Sequence, residues 1–408
     1  MGGVRIDSLL DLETVIQRAL AVSPSVVGAD EGVRTAQSEG RVAFGEYVPS
    51  VSAISSVLSS NVTSVPLGAA VPPSAYAAGL AASVDLFTGG RRDADRGRAT
   101  ADLGAAQAFG VSQRFVVTYT AQTAFYETLR AADLVDVAKA TTAQAQQGLR
   151  YAEDRVAAGT ATRSDELRAR LQVTASQQQL VGALDTLQTA AYALGRLVGA
   201  NGPIGARRPA SLDPRPLALD DSGIVRLAVE SSPAVQTARA QEQASLASSR
   251  AAHTQYVPDI RATAGYNWAN QSFIVGAIRP GWSVQVGTSY PIFNGFQRED
   301  DIERSEAAAD VAHVTSLDVT RQVRADAARL LSDLRFAEQN IGLSRDGVQS
   351  AEEDLRVQTE RYRAGISTEL DQLTSELAYR QAQIDLVSAR YQYQLTRSQL
   401  EALVGRSL

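Results

Sequence analysis

Two acids in matched settings carry most of the chemistry that this chain can offer. Residues 155–171 read RVAAGTATRSDELRARL, and residues 361–377 read RYRAGISTELDQLTSEL. Each stretch has an Arg, a Gly four positions on, a Ser/Thr-rich break, and an Asp six positions past the Gly. Thr162-x-x-Asp165 and Thr368-x-x-Asp371 have the form of a capping box, whose hydroxyl and carboxylate satisfy the free N–H groups that open a helix. A carboxylate there also gains roughly 0.3–1 kcal/mol from the helix dipole. Gly159 and Gly365 suit the left-handed position that follows a helix end. Each stretch therefore predicts a tight tip between two antiparallel helices.

Other chemistry is largely excluded. The chain has no Cys, which removes disulfides, thiolate nucleophiles and Cys-ligated metals. Its two histidines, His253 and His313, lack the carboxylate spacing of a zinc site and are expected to be structural. Lys139 is the only Lys, and a net charge of −6 without any basic cluster argues against nucleic acid. No nucleophile–base set or phosphate-binding Gly loop is visible, so neither an enzyme nor a cofactor is expected. The carboxylates scattered along the helices read as solvated faces or intersubunit pairs. No apolar run is long enough for a transmembrane helix. Met1-Gly2-Gly3-Val4 does not read as a signal peptide, and the sole Met at position 1 suggests a start codon added to a mature sequence whose signal was removed, although a cytoplasmic protein would read the same here.

The tips belong to a duplicated chain. Ile16–Val26 aligns with Val225–Val235 at an offset of 209, and Tyr47-Val48-Pro49 with Tyr256-Val257-Pro258 at the same offset. LFTGGRR (86–92) meets IFNGFQR (292–298) at an offset of 206, which holds without a gap to LVG at 197–199 and 403–405. The first repeat is placed at 1–199 and the second at 222–408, joined by a Pro- and Gly-rich linker at 200–221.

Proline placement outlines the elements. All thirteen prolines lie in 24–73, 203–233 or 258–291. A helix interior excludes Pro at about 3 kcal/mol each, so two very long helices are allowed. Within them apolar residues step by three and four, the spacing of a coiled coil. The expected helices are 24–46, 91–157 and 163–199, then 233–255, 297–363 and 369–405. The outgoing helix would be about 100 Å long at 1.5 Å per residue. The two shorter helices laid end to end nearly match it, which predicts a rod with strands at one end and tips at the other.

Strands are expected at 49–61, 75–87, 257–268 and 282–292. They alternate between an apolar and a polar face, with about the length that a membrane β-barrel strand requires. Tyr76, Tyr266, Trp268, Trp282 and Tyr290 are the expected membrane-interface aromatics.

With these features the chain resembles the TolC family of outer-membrane efflux and secretion channels. The resemblance rests on the duplicated strand–strand–long-helix unit, the turns LFTGGRR and IFNGFQR, and the tips RVAAGTATRSDEL and RYRAGISTELDQL. It implies a mixed, mainly α fold and a homotrimer, in which a twelve-stranded β-barrel continues into a twelve-helix α-barrel tunnel with the linker at its equator. It places the barrel in the outer membrane of a Gram-negative bacterium, among its lipids, and the helices in the periplasm. The implied role is the exit duct of a tripartite efflux pump or type I secretion system, opened by a periplasmic adaptor protein and energised by an inner-membrane pump. Adaptor contacts would fall on Ala158, Gly159 and Thr160, and on Ala364, Gly365 and Ile366. The Ala before each Gly departs from the family's common Val-Gly-Leu. The entrance constriction would involve Asp371, Thr374 and Asp165, with Thr374 standing where a second acid is often found. Ser367 replaces an Arg that locks some closed entrances, and the lipidated N-terminal Cys of some members is missing. The alternative is a soluble or peripheral coiled-coil scaffold without a channel. The cargo, whether drugs, metals or secreted protein, is left open.

Overall fold

In the computed structural model of the chain, residues 8–59, 74–270 and 279–408 are described. The sequence determines where helices start and stop through its caps and prolines. Asp11 opens α1 (Leu12–Val22) by accepting the Thr14 N–H at 2.8 Å, and Asp220 opens α5 (Asp221–Ser231) by accepting that of Gly223 at 3.1 Å. Ser23 and Ser232 end these helices, because the residue before a proline avoids the helical region. Pro24 and Pro233 then stand first in α2 (Pro24–Gly45) and α6 (Pro233–His253), where the missing N–H costs nothing. α1 and α5 were not anticipated. Short strands β1 (Ser8–Leu10) and β4 (Ile204–Ala206) pair in parallel, so part of the linker is also ordered.

Four further strands form one sheet in the order β2 (Ser50–Ser59), β3 (Ser74–Phe87), β5 (Asp259–Asn270), β6 (Arg279–Ser289), with every neighbour antiparallel. The expected first strand reaches residues 60 and 61, which lie outside the described residues. The expected last strand, 282–292, instead stops at Ser289, since Pro291 has no N–H to offer a ladder. Tyr290 therefore lies past the strand. Two long helices follow the two strand pairs: α3 (Arg91–Ala157) and α7 (Gln297–Arg363), each of 67 residues. The return helices are α4 (Arg163–Leu197) and α8 (Glu369–Val404).

Contacts divide the chain into two units, each drawing on both repeats. One holds the sheet together with Asp30–Ala108 and Thr237–Leu317. The other holds Phe109–Gln236, Asp318–Leu408 and the residues up to Ala29. Among the described residues this second unit carries three apolar clusters. The largest packs Ile224 and Ala228 of α5 against Val323, Ala327, Leu330, Leu334, Ala337 and Ile341 of α7 and Leu400 of α8. These α7 positions step by three and four, which keeps one stripe facing its neighbours. A polar strap ties the linker to the helices: Tyr391, fully buried, donates to Asp133 at 2.8 Å, and Arg208 pairs with the same carboxylate. Tyr393 donates to the Arg215 carbonyl at 3.1 Å.

Candidate functional site: hairpin tips and strand faces

Each tip is built by backbone bonds that its glycine permits. Thr160 N–H donates to the Arg155 carbonyl at 2.9 Å and Gly159 N–H to Val156 at 3.0 Å. Ile366 repeats this onto Arg361 at 2.9 Å, and Gly365 onto Tyr362 at 3.1 Å. Gly159 and Gly365 sit at φ +71° and +75°, the left-handed region that L-residues avoid. A Cβ at either position would meet nothing within 4 Å, so backbone conformation alone demands glycine there. Ala158, Thr160, Ala364 and Ile366 are all exposed beside them.

Both capping boxes form. Asp165 accepts from Thr162 N at 2.9 Å and Oγ1 at 2.8 Å; Asp371 accepts from Thr368 N at 2.9 Å and Oγ1 at 2.7 Å. Those bonds hold both carboxyls below the usual carboxylate range, the backbone N–H leading for Asp165 and the hydroxyl for Asp371. Thr374 donates to its own helix, to the Leu370 carbonyl at 2.8 Å.

Two features of the tips were not visible in the sequence. The first is a reciprocal cross-link: the Arg155 guanidinium lies 4.6 Å from the Tyr362 ring centre and donates to the Tyr362 carbonyl at 3.2 Å, while Arg363 lies 5.4 Å from the Tyr151 ring centre. Each such cation–π pair contributes about 0.5–1 kcal/mol at an exposed site, so the two tips of one chain are held together. The second is Glu369. Its Oε2 is buried without a hydrogen-bond partner, and its carboxyl lies beside that of Asp165. Burial, followed by the Asp165 contact, pushes Glu369 up to about 7.

The sheet presents two unlike faces. One row across it runs Val51, Ala82, Ala264, Val284, and the next runs Ala53, Leu80, Tyr266, Trp282. Tyr76 and Trp268 share this apolar face. Trp282 is 77% exposed and Val51 71%, large apolar areas that a lone chain in water would not leave bare. The opposite face is mostly small and polar, as in the row Ser50, Ser83, Thr263, Gln285, with Ile54 standing among them. Tyr290, beyond β6, instead accepts a hydrogen bond from Arg298 at 3.3 Å.

The paired motifs YVP and LFTGGRR/IFNGFQR meet where strands join helices. Arg92 stacks over the Tyr47 ring at 4.9 Å, and Arg298 over the Tyr256 ring at 4.3 Å. The helix-to-strand turn is thus clasped to the strand-to-helix turn in both repeats. The repeats differ at one backbone position. Gly90 has φ +87°, whereas its counterpart Phe296 takes φ +65° at a cost of about 1–2 kcal/mol, the one non-Gly residue with positive φ among the described residues. His253 pairs with Glu306 at 3.0 Å and His313 with Glu242 at 2.6 Å, one carboxylate each.

The family model for "Outer membrane efflux protein" matches residues 15–200 and 224–406. The chain is 25% identical over 329 residues to the cobalt-zinc-cadmium resistance protein CzcC of Cupriavidus metallidurans, covering 79% of this chain and 76% of that protein. Its fold is similar to that of the outer membrane protein VceC of Vibrio cholerae, with a TM-score of 0.82 and 21% identity over 97% of this chain and 96% of the other. It is similar also to the open state of the Neisseria gonorrhoeae MtrE outer membrane channel, with a TM-score of 0.80 and 20% identity over 97% and 89% of the two chains.

Proposed function

Because the chain belongs to the outer membrane efflux protein family, we propose that three copies of it form the exit duct of a tripartite efflux pump or type I secretion system. Their sheets join edge to edge into a twelve-stranded barrel in the Gram-negative outer membrane, and α3, α4, α7 and α8 of each copy line a twelve-helix tunnel through the periplasm. The sheet supports this reading most directly. It has one apolar face bearing aromatics, one small polar face, and unpaired edges on β2 and β6 among the described residues. In lipid an open edge cannot persist, and closure with two further copies removes it. The apolar face then meets lipid, with Tyr76, Tyr266, Trp268 and Trp282 at one interface and Tyr290 near the other.

The duct catalyses nothing and passes what an inner-membrane pump delivers. A periplasmic adaptor docks on the six exposed tip residues and opens the entrance, around which three copies of Asp371 form a ring. A soluble scaffold would explain the helices but leaves the apolar sheet face in water.

Docking is tested by Gly159→Glu and Gly365→Glu. The space around both glycines is open, so each change carries only the left-handed strain, about 1–2 kcal/mol. Trimers extracted with detergent from outer membranes should persist while transport is abolished. Normal transport in either variant would remove the docking claim, and a water-soluble monomer would remove the channel.

A further inference from the structure

The four strands carry very little charge. Among their described residues the charged ones are Asp85, Asp259, Arg261 and Arg279. Three of these gather on the polar face, at the end of the sheet that joins the helices. Asp85 and Arg261 face each other in register across β3 and β5, and Asp259 lies two residues from Arg261 on the same face. The Arg261 guanidinium donates twice to Asp85, at 2.6 and 3.3 Å, and Arg91 approaches the same carboxylate at 3.4 Å. The carboxylate lies underneath, with its side chain 17% exposed, whereas the Arg261 side chain stands 56% exposed. Between this row and Arg279, at the far end of the same face on β6, the polar face carries Ser, Thr, Gln, Asn, Gly and Ala with Ile54, none of them charged.

We propose that this cluster of Asp85, Arg91, Asp259 and Arg261, repeated three times around the barrel's base, is a charge-balanced collar that sets the ion selectivity of the duct. The proposal rests on the trimeric channel reading above. Two cations and two anions per copy leave the collar neutral, so it passes solutes of either sign. Loss of one charge per copy would leave three like charges around a lumen bounded by a low-dielectric wall. Charge rings of this kind decide which ions enter a pore. At 0.15 M salt the field of such a ring reaches about 8 Å, so dilute salt displays it best.

The test is the reversal potential of purified trimers in planar bilayers across a dilute KCl gradient. Arg261→Gln should raise the cation-to-anion permeability ratio several-fold. Asp85→Asn should lower it by a similar factor, and Arg261→Lys should hold it near the wild-type value. The opposite directions of the first two separate a charge effect from misfolding, which would move both the same way. Conducting channels whose ratio ignores all three changes, or responds only to Asp371→Asn, would overturn the collar while leaving the channel intact. Trimers that insert and conduct nothing would overturn the channel reading itself, and the collar with it.

Discussion

The first return helix opens RSDELRAR at 163–170, and the second opens ELDQLTSE at 369–376. Both tips share a glycine, a Thr cap and a capping Asp, because the backbone demands them. Where the backbone makes no demand, charge has been exchanged: Arg163 faces Glu369 in the alignment, Arg168 faces Thr374, and Arg170 faces Glu376. The consequence is energetic. Glu166, with a side chain only 7% exposed, is held by Arg163 and by Arg170 at 2.9 Å. Glu369, in the place of Arg163, meets the Asp165 carboxyl instead and is held up near 7. Glu376, in the place of Arg170, is also pushed up by burial. Duplication has thus kept one fold and produced two electrostatic surfaces, one neutralised by arginine and one partly by protons.

This contrast can be broken most forcefully by giving the first tip the second tip's charge. Arg163→Glu removes one of the two cations on a nearly buried carboxylate, which costs about 1–3 kcal/mol. Amide exchange over 163–170 should accelerate by about 30-fold for a loss of 2 kcal/mol. Unchanged protection would show that Arg170 alone suffices and that the tips differ less than their charges suggest.

A smaller effect concerns pH. Because Glu369 is held above its ordinary value, it favours the native tip most at low pH and loses that contribution as pH rises through about 7. Asp165 and Asp371 are held below theirs, so they contribute throughout this range and weaken only as pH falls through their depressed values. Between pH 5.5 and 8 the second tip should therefore loosen more than the first, which feels the new Glu369 charge only through Asp165 and keeps its Thr162 cap bonds. Exchange at 366–372, corrected for intrinsic rate, should rise several-fold, and Glu369→Gln should flatten the trend. A first tip that loosened equally, or a Gln variant with the same slope, would dissolve the distinction.

The smallest expected difference is at the caps. Thr162→Ala and Thr368→Ala should each cost about 1 kcal/mol and nearly the same amount, since the two boxes match within 0.1 Å. Local exchange that differed by more than tenfold would mean that the side chains around the caps, and not the caps, govern tip stability.

What was legible in the sequence was whatever the chain demands locally. Proline exclusion made α3 and α7 readable, Thr-x-x-Asp with Gly made the tips readable, and period-two alternation separated the faces of the sheet. α1 and α5 escaped because the expected helices were started at Pro24 and Pro233, and the Asp11 and Asp220 that cap the two shorter helices went unread. The pairings Arg155–Tyr362 and Asp165–Glu369 escaped for a different reason. Each spans more than 200 residues, and periodicity reveals which face a residue occupies without naming what it meets. The YVP motifs were seen as an alignment landmark, and only their rings' contact with Arg92 and Arg298 gives them a purpose.

The equal 67-residue span of α3 and α7 has a genetic consequence. A single codon lost from one of them would turn every later residue by about 100° and draw its tip back by about 1.5 Å. Its partner would keep its place, and the Arg155–Tyr362 and Arg363–Tyr151 stacks would come out of line. Length in this chain is therefore a coupled trait. Indels in the rods should survive only as matched pairs of whole heptads, entered in both repeats and in both the outgoing and the returning helix.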